Sequence, residues 1–308
     1  MKLPGECLAV AGLRESQEKP PLACAVVGLG RFGSIHARKL SVLPEFRLDA
    51  VVDSAPHARE AARALGVPVF ASVDELPPHI QAATVATDAA SHAAVAISLM
   101  QRGCHVLVEK PLATSRADSQ KMLDTASCIG VHLCTGHTLR FAEALDQDTL
   151  MRLQATAAQV SSCEAPLLAF RRFSRWGVLV RDSVLDLMVH DLDLMTLILD
   201  ASPDEPMSVI QCSAGENSIR ATVQLARVQV SLESGYRAQQ ESIATLDVMP
   251  ADAPSWRVDL HRQSGQYDDP LTRQYRAFAR RIRGEPGIIA TGRDGGIAVS
   301  RALQILAA

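Results

Sequence analysis

Three stretches of the chain combine residue types that can do chemistry. The first, residues 182–195, reads Asp-Ser-Val-Leu-Asp-Leu-Met-Val-His-Asp-Leu-Asp-Leu-Met. Wound as a helix it stacks residues four apart, so Asp186 adjoins His190, Asp182 lies one turn before them and Asp193 one turn after. Val184, Leu185, Leu187, Met188, Val189, Leu192, Leu194 and Met195 make the rest apolar on nearly every side, the mark of a buried helix. A buried carboxylate or imidazole is costly unless paired, so the polar stripe should face a cleft or a partner. Three chemistries fit: an Asp-His pair for acid-base work, a core helix that hydrogen-bonds its own pair, or a metal pair. The last is the weakest, because no further Cys or His lies nearby at ligand spacing, and no metal site is assigned.

The second stretch is Gly28-Leu-Gly-Arg-Phe-Gly, which follows an apolar run at residues 22–27 and leads into a helical run at 34–43. Between a strand and a helix, Gly28 makes the tight turn, Gly30 admits a pyrophosphate and Gly33 allows close packing, while the helix N-terminus faces the phosphates. Arg31 and Phe32 share the loop and are taken with the glycines as cofactor-facing. Asp53 ends the next strand, where a carboxylate accepts the ribose hydroxyls and repels a 2'-phosphate; NAD is therefore expected, with Arg59 keeping NADP open. The third stretch, Val106-Leu-Val-Glu-Lys-Pro-Leu-Ala, is a strand ending in an acid, a lysine and a proline. At that edge of a parallel sheet Lys110 reaches the nicotinamide end of a dinucleotide and can polarise a hydroxyl or carbonyl oxygen, and Glu109 can fix the ribose or amide. A surface lysine before a strand-ending proline is the plainer reading of the same residues.

Between these stretches, strands and helices alternate. That implies a parallel sheet covered on both faces, a Rossmann dinucleotide-binding domain of the α/β class over residues 21–139. Residues 1–20 read as an extension without assigned function. After Leu139 the rhythm changes: a helix at 141–152 is followed by runs at 159–163, 167–173, 207–212, 218–225, 227–233 and 242–248, several alternating polar and apolar. They predict a substrate-binding α+β domain over residues 140–308 with an open, largely antiparallel sheet, closed by helices at 271–283 and 293–306. Such a sheet usually hides one face on a partner, so a homodimer or homotetramer is expected.

A length of 308 residues with 47% hydrophobic content fills two cores, and a net charge of -3 exerts no general pull on nucleic acid. No apolar run reaches the roughly eighteen residues of a membrane span, and no signal-peptide pattern is present. The seven cysteines are scattered without a Cys-x-x-Cys, which fits free thiols in a reducing cytoplasm. Arg171, Arg172, Arg175 and Arg181 form a basic cluster that could hold a diphosphate bidentately, Arg172 being taken as the substrate ligand; a solvated strand edge explains them as well. His36, His92 and His137 sit at element ends and read as structural hydrogen-bonders.

Taken in order, Gly28-Leu-Gly-Arg-Phe-Gly-Ser-Ile-His36, Val85-Ala-Thr-Asp-Ala-Ala-Ser-His92, Glu109-Lys-Pro-Leu-Ala113, Gly136-His-Thr-Leu-Arg-Phe141 and Asp186-Leu-Met-Val-His-Asp-Leu-Asp193 resemble the glucose-fructose oxidoreductase/inositol dehydrogenase family (Gfo/Idh/MocA). Tyr275-Arg-Ala-Phe278 with Arg293-Asp-Gly-Gly-Ile297 resembles that family's tail, so the likeness covers nearly everything after residue 20. It implies that Lys110, Asp186 and His190 surround the carbon that exchanges a hydride, with Thr87 and His92 on the cofactor loop. Within the family, Gly-His-x-x-Arg-Phe and the 182–193 stretch are similar to dehydrogenases of nucleotide sugars. The implied reaction is oxidation of C3 of UDP-N-acetylglucosamine, in the lipid A precursor pathway, with Arg140 meeting a phosphate. Those enzymes usually continue Arg-Phe with Asn-Pro and the Thr87 position with Pro; this chain has Ala142-Glu143 and Asp88. His190 oriented by Asp186 would take the hydroxyl proton and Lys110 would hold the alkoxide, or the reverse. The rival readings are a dehydrogenase of a free sugar, inositol or other polyol, and a retired enzyme that binds dinucleotide as a sensor or structural partner.

Overall fold

The structure, a computed structural model, describes residues 19–160, 165–177, 179–263, 265 and 268–308. The side chains of residues 56–59 and 61 fall outside the description, Arg59 among them, as do residues 1–18 of the expected N-terminal extension.

The apolar run Leu22–Val27 forms β1 and is buried along its whole length, as a strand covered on both faces must be. It is followed by α1 (Arg31–Leu40), β2 (Phe46–Val52), α2 (Pro56–Leu65), β3 (Val69–Phe70), β4 (Ala82–Val85), α3 (His92–Gln101), β5 (His105–Val108), α4 (Arg116–Ile129) and β6 (Leu133–Thr135). The six strands are parallel in the order β3-β2-β1-β4-β5-β6. From β1 the chain winds outward one way through β2, then the other way through β4. The crevice at the strand ends between β1 and β4 is therefore the switch point where such sheets take ligands. α1 starts at Arg31, earlier than the expected 34, because the extended Gly30 is itself the residue preceding the helix.

The second sheet is built from β7 (Leu168–Ser174), β8 (Met207–Ala214), β9 (Ser218–Leu225), β10 (Val228–Tyr236), β11 (Ile243–Val248) and β12 (Trp256–Asp259). Its order is β12-β11-β7-β10-β9-β8, with only the β7–β10 pair parallel. The inward row of Leu168, Phe170, Val230, Leu232 and Leu246 packs on Met188, Leu192 and Met195. These belong to a π-helical turn (Val184–Met188) and to α6 (Val189–Ile198), which follows it directly.

The expected helix at 141–152 is displaced. Short 3-10 turns at Thr138–Phe141 and Glu143–Leu145 come first, and α5 (Gln147–Ala158) begins only after Asp146, whose side chain accepts the Thr149 N–H at 2.8 Å. A local N-cap outweighs the apolar periodicity there. Of the run expected at 159–163, Gln159 closes α5 and residues 161–163 lie outside the described residues.

The last two helices cross the sequence boundary at 139/140. α7 (Pro270–Ile282) buries Tyr275 and Phe278 in the core of the first sheet, their rings 5.6 and 6.3 Å from that of Phe46. α8 (Gly292–Ala307) presents Val299 to the first sheet's core and Ala302 and Ile305 to the second's. The sheets divide near residue 139, but the packing does not: the chain's C-terminal segment returns to the first domain and wedges the two together.

Candidate active site

Gly28 adopts φ +89°, and a Cβ there would lie 2.7 Å from the Ala86 carbonyl oxygen. A Cβ on Gly33 would lie 1.7 Å from the Gly28 carbonyl oxygen, so these two glycines hold the loop closed. Gly30 differs, since a Cβ there would meet nothing within 4 Å. That is the opening a phosphate needs in front of the free amides of α1. Asp53 stands beside it, Oδ2 accepting the Leu29 N–H at 2.6 Å and Oδ1 the Ala55 N–H at 2.8 Å, which fixes the carboxylate at the loop. Gly28, Gly30, Arg31, Phe32, Asp53 and Thr87 line a cleft of about 760 Å³. An open amide nest and an aimed carboxylate side by side fit the pyrophosphate and ribose of a dinucleotide.

A second cavity of about 460 Å³ shares Phe32, Ala86, Thr87 and Asp88 with the first and runs on to Glu109 and Lys110. Its far wall belongs to the second domain: Arg181, Asp182, Leu185 and Asp186. Lys110 Nζ crosses to that wall, donating to Asp186 Oδ1 at 2.6 Å and to the Asp186 carbonyl oxygen at 2.8 Å. Tyr236 donates its hydroxyl to Asp186 Oδ2 at 3.1 Å. Asp186 thus serves Lys110 and Tyr236, and it makes no hydrogen bond with His190 among the described residues. The π turn is the reason: its bonds join residues five apart, so positions four apart no longer stack as they would on an α-helix.

Glu109 is anchored from behind. Its Oε1 lies 3.0 Å from His36 Nε2 and its Oε2 accepts the Lys110 N–H at 3.2 Å. The His36 Nδ1 is 2.7 Å from the Tyr275 hydroxyl, which in turn is 3.0 Å from Thr84 Oγ1. Burial pushes the Glu109 carboxyl up, but the His36 hydrogen bond and the charges of His36 and Lys110 outweigh it and hold the group below the ordinary carboxylate range. A Cβ on Gly136 would come within 2.8 Å of Glu109 Oε1, so the glycine leaves room for that carboxylate. His92 is buried, with ring nitrogens 2.8 Å from the Pro111 carbonyl oxygen and 3.0 Å from that of Thr87. It ties the Thr87 loop to the Lys110–Pro111 turn, and it also lines the second cavity.

His190 is half-buried, its ring edge to face with that of His137 at 5.7 Å between centroids. Burial, then the charges of Lys110 and Arg172, hold its pKa well below the ordinary histidine range, so the ring is neutral. Burial lowers His137 in the same direction.

Arg140 and Arg172, expected to meet a substrate phosphate, are instead turned into the protein. Arg140 grips Asp193 with two hydrogen bonds of 2.6 and 2.8 Å and reaches Asp294 at 3.3 Å. Arg172, 5% exposed, pairs with Asp191 through Nε at 3.0 and 3.1 Å and through a further short Nη2 contact. A buried guanidinium binds the nearest carboxylate, and the Asp-rich stretch around His190 supplies one for each arginine. The basic cluster disperses likewise: Arg171 bonds Glu233, Arg175 lies over Trp176, and only Arg181 reaches the second cavity.

Residues 22–137 match the family described as "Oxidoreductase family, NAD-binding Rossmann fold" (GFO_IDH_MocA). That segment is similar to the NAD-binding domain of the Gfo/Idh/MocA family. Two curated relatives extend the match. UDP-N-acetylglucosamine 3-dehydrogenase of Acidithiobacillus ferrooxidans is 33% identical over 199 residues, 64% of this chain and 60% of the relative. Myo-inositol 2-dehydrogenase of Thermotoga maritima is 29% identical over 191 residues, 58% of this chain and 55% of the relative. The matched stretches thus span under two thirds of either relative. A solved structure of the A. ferrooxidans UDP-N-acetylglucosamine 3-dehydrogenase superposes with a TM-score of 0.77 at 25% identity, covering 94% of this chain and 98% of that one. The open amide nest at Gly30 and the carboxylate of Asp53 are the parts of this Rossmann domain that fit NAD.

Around that cleft the structure gathers Gly28, Gly30, Arg31, Phe32, Asp53, Thr87, His92, Glu109, Lys110 and Asp186, while His190 is not part of either lining. It adds residues without a local sequence signal. Tyr236 comes from the end of a strand on the far side of the sequence. Trp176 stacks under the Arg31 guanidinium at 4.6 Å, bridging the glycine loop to the second domain.

Proposed function

We propose that the protein is an NAD-dependent dehydrogenase that oxidises a secondary hydroxyl of a sugar, with C3 of UDP-N-acetylglucosamine as the reacting carbon. The observation that carries dehydrogenation is Lys110 Nζ, held 2.6 Å from Asp186 where the glycine-loop cleft opens into the second domain. Bound NAD supplies the hydride acceptor. Lys110 and Asp186 position the substrate oxygen, and the Lys110 ammonium stabilises the alkoxide that develops there. His190, kept neutral by burial, takes the hydroxyl proton. The alcohol would leave as a ketone, its hydroxyl proton taken by His190 and its hydride accepted by NAD when that cofactor is bound. Exposed Arg181 replaces Arg140 and Arg172 as the cation available to a diphosphate. The similarity to the A. ferrooxidans enzyme supports the nucleotide sugar.

A second reading, oxidation of a free sugar, inositol or other polyol, is favoured by the charge of the second cavity. Asp88, Glu109, Asp182 and Asp186 outnumber Lys110 and Arg181, a balance better suited to a neutral substrate. Both readings place the enzyme in the cytoplasm, where Cys24, Cys104, Cys128, Cys134 and Cys212 stay free thiols, and as a homodimer or homotetramer through the second sheet. A monomer by light scattering at micromolar concentration overturns the assembly.

The test of activity is a panel of UDP-sugars, free sugars and inositols with NAD or NADP, followed by reduced-nicotinamide absorbance. UDP-N-acetylglucosamine giving the highest kcat/KM is the expected result, and preference for an inositol selects the second reading. Binding of NAD without turnover on any alcohol overturns both and leaves a dinucleotide sensor.

A further inference from the structure

The His137–His190 pair holds more polar capacity than the mechanism above has used. His137 is 1% exposed, and neither of its ring nitrogens has a partner among the described residues. The buried Nδ1 of His190 is unpartnered as well. Buried polar atoms are nearly always paired, so three unpaired ring nitrogens in facing rings call for an explanation. Asp186, expected to orient His190, directs its hydrogen bonds to Lys110 and Tyr236 instead.

We propose that His137 is a positioning residue for His190: it accepts the hydrogen bond of the His190 Nδ1–H through one bridging water. This rests on His190 being the base proposed above. An acceptor behind Nδ1 fixes the tautomer with Nε2 bare, and Nε2 is then the atom that takes the substrate proton. The transferred proton sits on Nε2, the Nδ1 proton stays on His190, and the new imidazolium shares that proton with His137.

The surrounding charges favour this direction. His190 faces Lys110 from the end of β5, Arg172 from β7, His261 beyond β12 and His137 itself. His137 faces Glu109 from the end of β5, Asp193 from α6 and Asp294 from α8, against Arg140 alone. Lys110 and Arg172 therefore disfavour positive charge on His190, while the acids around His137 favour a proton held on the His137 side of the pair.

Nitrogen-15 NMR of the full chain with NAD reads the tautomer independently of turnover. Nδ1–H with bare Nε2 on His190 is the expected state; Nε2–H with bare Nδ1 overturns the proposal. On the alcohol that the substrate panel identifies, His137→Phe should lower plateau kcat about tenfold or more and move the His190 titration downward, with NAD affinity held within about twofold. His137→Gln, whose carbonyl oxygen can accept, should restore most of the rate. An upward shift of the His190 titration in His137→Phe, or an unchanged plateau, overturns the proposal by making His137 a neighbouring charge or mere packing. Should His137→Phe fail to fold, the wild-type tautomer decides alone. Should no alcohol be oxidised, the function proposed above fails while the tautomer still reports on the pair.

Discussion

Lys110 and Asp186 meet 2.6 Å apart across the domain junction, the lysine just beyond the parallel strand β5 and the aspartate inside the π turn that leads into α6. Each domain supplies half of the arrangement. Burial of Tyr275 and Phe278 by α7, and the wedge of α8 between the cores, hold the two halves in register. Arg31 stacked on Trp176 at 4.6 Å makes a second crossing at the other end of the cleft.

Asp186→Ala should therefore lower kcat by about a hundredfold or more while NAD binding largely survives, because the lysine loses the partner that aims it. Lys110→Ala should do the same. Tyr236→Phe removes one hydrogen bond from the same carboxylate and should cost about tenfold at most. Steady-state kinetics paired with calorimetric NAD titration separates the terms. Wild-type kcat in both Asp186→Ala and Lys110→Ala would remove these residues from the chemistry.

The glycines of the cofactor loop should separate stability from affinity. Gly33→Ala places a Cβ 1.7 Å from the Gly28 carbonyl oxygen and should destabilise the fold. Gly30→Ala has φ -62° and open space, so it should leave the melting temperature unchanged while weakening NAD by about tenfold through obstruction of the phosphate. Equal NAD affinity in Gly30→Ala would argue that the phosphate does not pass that glycine.

The first domain was readable because its signals are local. An apolar run, a glycine turn and a strand-ending acid or lysine each report on residues nearby in the chain, and Gly28, Asp53 and Lys110 stand where that pattern puts them. The second half of the site depended on distant encounters. Spacing alone put Asp186 and His190 on one row, whereas the π turn separates them and Lys110 claims the aspartate. Arg140 and Arg172 looked like phosphate ligands because nothing local announced that Asp193 and Asp191 would bury them. Tyr275 joins His36 through a helix more than two hundred residues later, a contact with no trace in either segment.

The buried Arg172–Asp191 pair predicts a strong asymmetry between single and double substitution. Arg172→Met leaves the Asp191 carboxylate in a site where burial already pushes its pKa up, and should cost about 3–5 kcal/mol in chemical unfolding. Arg172→Met combined with Asp191→Leu removes both desolvated charges and should recover most of that loss. A double variant no more stable than Arg172→Met would show that packing of the guanidinium stem, and not the charge pair, sets the stability of this site.

The lowered histidines set the acid side of the stability curve. His137 and His190 are held below the ordinary histidine range, chiefly by burial, and His105, His132 and His261 are lowered in the same direction. As pH falls through about 6.5 the unfolded chain's imidazoles take up protons that the folded protein refuses, so stability falls with pH by up to about 1.4 kcal/mol per pH unit for buried His137 and by less for the more exposed rings, whose charge water screens. Glu109 and Asp294, held low by their partners, lose their contribution only further down, as pH drops through their depressed folded values. Asp191, raised by burial, acts the other way, since its folded state accepts a proton more readily than the unfolded one. In the window from pH of about 6.5 to about 5 the histidines therefore dominate. Unfolding midpoints should decline across it, and His137→Gln should flatten the slope by about one proton. A wild-type midpoint that stays level through that window would mean that His137 and His190 are not both neutral in the folded protein.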